Sequence, residues 1–295
     1  MALRSKQLHF HGPYRQQNWP FKLSFINYIT KTPSNAKAWQ KLIQSCKYFF
    51  AKNPIVVADS LDLHQMFEVS AGRLQKFISS NNISYKLWIT EKLRIYGADP
   101  KDVSSIIPQI YRCDAKKLLL HGQILSYNEF LFLSRNAEVL FWGVEVTDDN
   151  KNFTVVKNED GTIVPLEKLV KTLVSLKRIM GEIDPSHSCI TKGTVKELLE
   201  IPHFSKLDEF VFTGLPEVFD IDTFFAYLKK NKYTKFELHF ADSISEEYKV
   251  LLDKVVDEIL QTETHDYIPP IISSNGLAQE KFCKMRYLYD HSFGL

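Results

Sequence analysis

The sequence predicts an α/β fold in which a short helical N-terminal element precedes an irregular parallel βα solenoid. Three observations carry that expectation. Short apolar triplets, "LLL", "VLF" and "FVF", recur beyond residue 83, each followed by a turn and a helical stretch. The equivalent strand positions Leu119, Leu140, Ile179, Phe210 and Phe236 lie 21, 39, 31 and 26 residues apart. Residues 19–53 read as helix alone, and a segment below about 40 residues does not bury a self-sufficient core.

A strand plus a helix in about 20–29 residues is the unit of a leucine-rich repeat. Two of the spacings fit that unit, and the polar stretch 144–160 and "DPSHSC" lengthen the other two. One unit cannot bury its own helix face, so stacking of neighbours makes the core. The rival is an ordinary α/β domain with a buried parallel sheet. It has apolar strands in its favour, but no Gly-rich phosphate loop follows any of them.

Residues 1–18 are polar and irregular. In 19–53, Phe21, Phe25, Ile26 and Ile29 recur at helical spacing and give a first helix, which "KTPSNAK" breaks. Ser34 or Asn35 then caps a second helix, with Trp39, Leu42, Ile43, Cys46 and Phe49 or Phe50 on its apolar face, ended by Pro54. The repeat region runs over 54–262. Two short strand runs are expected in "ISYKLWITEKLRIYG", then strands at 117–121, 137–143, 176–183, 207–215 and 234–240. Helices follow at 127–133, 165–172, 194–199, from Asp220 or Asp222 to "KKNK", and 245–260. Ser126 with Glu129 forms a capping box, Ser245 caps the long helix, and Pro165 suits a first turn. Residues 263–295 form a C-terminal cap or tail.

Composition narrows the function. The 37 basic and 35 acidic residues leave +2, with no long block of one sign, which gives no ground for a nucleic-acid partner. No apolar run is long enough for a signal peptide or a spanning helix, so no membrane role is expected. The four cysteines stand far apart without a CxxC pair, which suits free thiols in the cytoplasm or nucleus.

Catalytic constellations are missing. His121 and His239 occupy strand positions where a hydrogen-bonded histidine is the common case. Cys113 and Cys189 have no inferable base beside them, and His187 with Cys189 would need two further ligands to hold zinc. Asp220 and Asp222 read as capping and first-turn charge, and "KNEDGT" reads as a turn at Asp160-Gly161. No enzyme activity, cofactor or metal is expected, although an α/β enzyme with an unrecognised site stays as the lesser alternative.

The stretch "WQKLIQSCKYFF" decides the functional reading. Residues 19–53 resemble an F-box: Trp19-Pro20 stands at the opening pair, Phe25, Ile26 and Ile29 form the first apolar run, and Trp39, Leu42, Cys46, Lys47, Tyr48 and Phe49 match the later Val-Cys-Lys-aromatic signature. The phrases "SCKYFFAKNP", "IYRCDAKKL", "NEFLFLS", "VKNEDGTIVPLEKLV", "TVKELLEIPHF" and "HDYIPP" resemble a family of nematode F-box-like proteins over most of the chain. That resemblance implies docking on a Skp1-type adaptor of a cullin–RING ubiquitin ligase, with the repeat region holding a protein substrate. It implies adaptor contacts through Pro20, Phe21, Ile26, Ile29, Trp39, Leu42, Cys46 and Phe49. A structural or signalling solenoid without a ligase partner, its first repeat capped by 19–53, is the alternative.

Overall fold

The computed structural model describes residues 19–63, 67–72, 74–78, 84–96, 99, 101–143, 153–184 and 188–292. Among these, ten α-helices and two sheets form a mixed α/β fold, the larger sheet open, mostly parallel and eleven-stranded. Helices α1 (Leu23–Lys31), α2 (Ala36–Ser45) and α3 (Lys47–Lys52) come first. Asn35 caps α2 by accepting the Ala38 N–H at 2.9 Å. The single second helix is corrected: Cys46 is extended (φ −152°, ψ 125°) and divides α2 from α3.

Strands β1 (Ile55–Leu63), β2 (Phe67–Ala71) and β3 (Leu74–Ile78) follow as an antiparallel ribbon not foreseen from the sequence. Strand β4 (Lys86–Tyr96) is one long strand where two short runs were expected. Then come α4 (Asp102–Ile106), β5 (Ile110–Cys113), β6 (Lys117–His121), β7 (Ile124–Ser126), α5 (Tyr127–Ser134), β8 (Val139–Trp142), β9 (Val155–Lys157), α6 (Leu166–Thr172) and β10 (Arg178–Glu182). The chain continues through α7 (Thr194–Leu199), β11 (Glu209–Leu215), α8 (Ile221–Leu228), β12 (Lys235–Phe240), α9 (Glu246–Gln261), β13 (Ile271–Ser273) and α10 (Gln279–His291).

Local chemistry sets these boundaries. Ser126 Oγ accepts the Glu129 N–H at 3.2 Å while Glu129 Oε2 accepts the Ser126 N–H at 2.7 Å, which completes the capping box of α5. Asp220 accepts the Thr223 N–H at 3.0 Å, and Ser245 accepts the Tyr248 N–H at 3.3 Å. Pro165 is the N-cap of α6 rather than a first-turn residue. Of the polar stretch 144–160, residues 144–152 lie outside the described residues. The remainder is corrected in part: Val155–Lys157 is strand β9, paired in parallel with β7, and Thr154 and Val156 are buried.

The large sheet runs β13-β12-β11-β10-β8-β6-β4-β1-β2-β3, with β5 pairing on β4, and every strand pair from β4 onward is parallel. Its register lines up Leu61, Leu93, Leu118, Leu140, Ile179, Phe210 and Phe236 on successive strands, all at 0% exposure. Leu119 was expected in that row; Leu118 occupies it, and Leu119 points to the opposite face. A second inward row holds Leu63, Ile95, Leu120, Trp142, Gly181, Phe212, Leu238 and Ile272, all buried but Gly181. Helices α4 to α9 bury their apolar sides against these rows in one continuous core.

Gly181 is the one gap in the second row, and Phe212 fills it. A Cβ at Gly181 would stand 2.5 Å from the Phe212 ring, which is itself fully buried. Gly181→Ala is therefore expected to cost about 1–3 kcal/mol through overpacking, read as a lower urea midpoint at unchanged slope. A stability within a few tenths of the original would show that the ring moves aside freely.

Candidate interaction surfaces

The N-terminal helices pack on the sheet face opposite the main core. Along β1 and β4 the side chains alternate: Ala58, Leu87 and Ile89 enter the main core, while Ile55, Val57 and Trp88 point the other way. On those three sit Ile26, Trp39 and Phe49, which form a second, smaller core with them. Trp39 donates its indole N–H to the Ile55 carbonyl at 3.1 Å, and Asn53 donates to the Thr30 carbonyl at 2.8 Å. Tyr111 on β5 donates its hydroxyl to the Pro33 carbonyl at 3.0 Å. Asp114 accepts from Trp88, Arg112 and Asn136 at 2.7–2.8 Å, and the Arg112 guanidinium stacks over Trp88. The element is thus fastened to the sheet by packing and by buried polar contacts.

The residues expected to meet an adaptor therefore divide. Ile26, Trp39 and Phe49 are 1–2% exposed and belong to the small core. Ile29, Leu42 and Cys46 are half-buried, while Pro20 and Phe21 are exposed. Outward from α1 stand four large apolar side chains in water: Phe21, Leu23, Phe25 and Tyr28, at 59, 63, 49 and 72%. The Phe21 and Phe25 rings meet tilted, with centroids 5.4 Å apart. Leu23, Phe25 and Tyr28 were not among the expected contacts. Their signal is in the sequence: "LSFINYI" places apolar residues around the helix circumference, whereas packing on one side needs a stripe of only about 100°.

The same sheet face carries a second surface. Leu119, Phe141, Met180 and Val211 stand in register on β6, β8, β10 and β11, all half-buried. At about 4.8 Å between strands the stripe spans about 14 Å. Beside it, toward the strand starts, run Lys92, Lys117, Val139, Arg178, Glu209 and Lys235. The small N-terminal core covers one end of this face. At the other end α10 comes round the β13 edge: Lys281 pairs with Asp253 and Asp257 of α9, Arg286 lies 3.5 Å from Glu237, and Lys235 stands 4.9 Å over the buried Tyr289 ring. Among the described residues, no helix lies over the stripe between them.

His239 sits at that far end in a polar cluster. Its Nε2 is 2.8 Å from Glu237 and its Nδ1 is 2.5 Å from Ser273 Oγ. The His239 hydrogen bond holds the Glu237 carboxyl below its ordinary range, against partial burial. A charged Glu237 must accept, so Nε2 donates to it. Ser273, His239 and Glu237 are linked in the order of a hydrolase relay, yet the His239–Ser273 bond also ties β12 to β13, and Glu237 reaches Arg286 of α10. Two clefts of about 390 Å³ each open elsewhere, one beside Ser126 and Asp160, the other beside Leu260 and Tyr287. His121 lies with its ring 6.0 Å from that of Tyr96.

The thiols are free. Burial pushes Cys113 and Cys189 up to about 12, so neither supplies a thiolate near neutral pH. Cys46 is half-buried and Cys283 exposed. A disulfide reagent at pH 8 is expected to modify Cys283 quickly, and Cys113 and Cys189 only after denaturant is added. Rapid native-state labelling of Cys189, located by peptide mapping, would contradict its buried position. Among the described residues no cluster of three or more His, Cys, Asp or Glu side chains forms a metal site, and His187 lies outside them. No described helix is long and apolar enough to cross a membrane. No family model, curated protein or solved structure matches the chain.

Proposed function

We propose that this chain is a non-enzymatic interaction protein, the substrate receptor of an SCF-type ubiquitin ligase in the cytoplasm or nucleus. In this reading α1–α3 form the F-box-like element that docks on a Skp1-type adaptor. The remainder is an irregular parallel βα solenoid, leucine-rich-repeat-like, that holds a protein substrate. One observation carries the adaptor assignment: α1 is anchored by Ile26 on its inner side yet shows Leu23, Phe25 and Tyr28 to water, with Phe21 exposed just before it. Isolated exposed apolar residues are ordinary, but four large ones within eight residues, two of them with rings in contact, are more than chance exposure supplies and support an interaction surface. The solenoid reading is supported by the order in which parallel strands β4, β6, β8, β10, β11, β12 and β13 join the sheet, each beside its predecessor.

The test is a titration of purified Skp1-type adaptor against the full chain and a Phe25→Ala/Tyr28→Ala variant. Both side chains face solvent, so far-UV circular dichroism and melting are expected to stay within experimental error. Binding is expected at micromolar affinity or better and should weaken by about 2 kcal/mol or more, as for a truncated hot spot. The second reading, a solenoid interaction protein without a ligase partner, draws on the anchoring of α1–α3 as an end cap. It gains if the folded wild-type chain shows no micromolar adaptor binding.

A further inference from the structure

We propose that the open sheet face between α3 and α10 receives an amphipathic helix of the protein partner, laid across the strands. This rests on the interaction-protein reading and names the kind of segment that the second surface takes. The stripe of Leu119, Phe141, Met180 and Val211 is the floor. These strands lie inside the sheet, with neighbours on both sides, so their backbone groups are already paired. An extended peptide on this face would leave its own N–H and C=O groups unpaired over apolar side chains. A helix satisfies its backbone internally and presents only side chains.

The dimensions agree. Strands recur about every 4.8 Å and helical turns about every 5.4 Å, so one apolar anchor per turn meets one strand. Four anchors at i, i+4, i+7 and i+11 cover the stripe in about a dozen residues.

Charge fixes the flanks. The row toward the strand starts holds Lys92, Lys117, Arg178 and Lys235 against the single acid Glu209, which lies 3.6 Å from Arg178, so the row stays net positive. On the strand-end side, β10 carries Glu182, and Asp184 follows just beyond it. The complementary helix has an acidic flank on the Lys117–Arg178 side and a basic flank toward Glu182. Opposite potentials of this kind set orientation and suppress wrong partners.

The test uses three acetylated, amidated peptides of about 14 residues, each with Leu at i, i+4, i+7 and i+11. The first has Glu along one flank and Lys along the other, the second Glu on both, the third Lys on both. Fluorescence anisotropy with the full chain is expected to show the mixed peptide binding at least about fivefold more tightly than either control. Phe141→Glu should weaken it by about tenfold or more, with circular dichroism confirming the fold. Lys117→Glu/Arg178→Glu reverses two exposed charges, the second at the loss of its ion pair with Glu209, and should move the preference to the all-Lys peptide, with circular dichroism again confirming the fold. Equal binding of the three peptides, no binding at about 100 μM, or indifference to the folded Phe141→Glu variant overturns the proposal. Adaptor titration of the same preparation separates the failures. Adaptor binding without peptide binding removes this inference alone, whereas loss of both removes the receptor reading as well.

Discussion

Phe210→Ala is expected to destabilise the chain by about 3–5 kcal/mol, a large share of the stability of an ordinary domain. Phe210 is fully buried in the first row, between Ile179 and Phe236. Its ring lies 5.4 Å from Phe204, 4.7 Å from Phe212, 5.9 Å from Phe224 and 6.1 Å from Phe236. Truncation removes the transferred apolar surface and leaves a cavity whose walls are rings held by several neighbours. Such walls collapse poorly, which places the cost toward the upper part of the range. Urea denaturation followed by far-UV circular dichroism is the measurement. A loss below about 1 kcal/mol would mean that Phe224 and Phe236 close the gap, and that this core packs more loosely than its contacts indicate. Phe210→Leu should recover more than half of the loss, because it restores volume without the ring.

Phe210, Phe236, Leu140 and Ile179 were legible as equivalent positions because each falls within two residues of a charged residue, Glu209, Lys235, Glu138 and Arg178, that opens a short segment rich in apolar residues. Leu119 was not. In "KKLLLHG" three leucines stand together, and a period of two cannot say which of them points to the core. Register with Leu93 and Leu140 selects Leu118, and the slip matters because it turns Leu119 from a core residue into part of the open stripe. The β1–β3 ribbon was hidden for a related reason. Pairing of β1 with β4 shifts between Ala58 and Ser60, so inward residues pass from even to odd positions within one strand. A bulge of this kind erases the alternation that a sequence reading needs. Strand β9 is only three residues long and begins at the end of a run of polar residues, so composition concealed it.

The helical element was legible in its caps and misread in its continuity. Trp39, Leu42, Cys46 and Phe49 keep helical spacing across the break, because an extended residue that is itself apolar leaves the pattern intact. The Cys46 N–H still bonds to the Leu42 carbonyl, and Ser45 donates its hydroxyl to that same carbonyl at 2.8 Å. Such local side-chain bonds favour helix ends over interiors. Sequence also left open which aromatics face inward, since that depends on Trp88 and Tyr111, distant in the chain. The exposed set on α1 is what remains once Ile26, Trp39 and Phe49 have gone to the sheet.

Trp39→Ala separates these two roles. Trp39 is 1% exposed, lies 6.4 Å from Phe49, and donates its indole N–H to the Ile55 carbonyl. Its loss creates a large cavity and leaves the Ile55 carbonyl without this donor, for a local cost of about 3–5 kcal/mol. Among the described residues the small core holds six buried apolar residues, Ile26, Trp39, Phe49, Ile55, Val57 and Trp88, on the sheet face away from the main core. Helices α1–α3 are therefore expected to loosen while the parallel sheet persists, because rows such as Leu93, Leu118 and Leu140 do not touch them. Hydrogen exchange read by mass spectrometry should show protection lost across 23–52 and kept across 117–121, 178–182 and 209–215. Adaptor binding should fall in this variant together with local order, whereas Phe25→Ala/Tyr28→Ala loses binding with protection intact. Uniform loss of protection in Trp39→Ala would show that the two cores unfold as one cooperative unit. In that case the N-terminal helices serve the fold as a whole, and the end-cap reading of α1–α3 gains over the docking one.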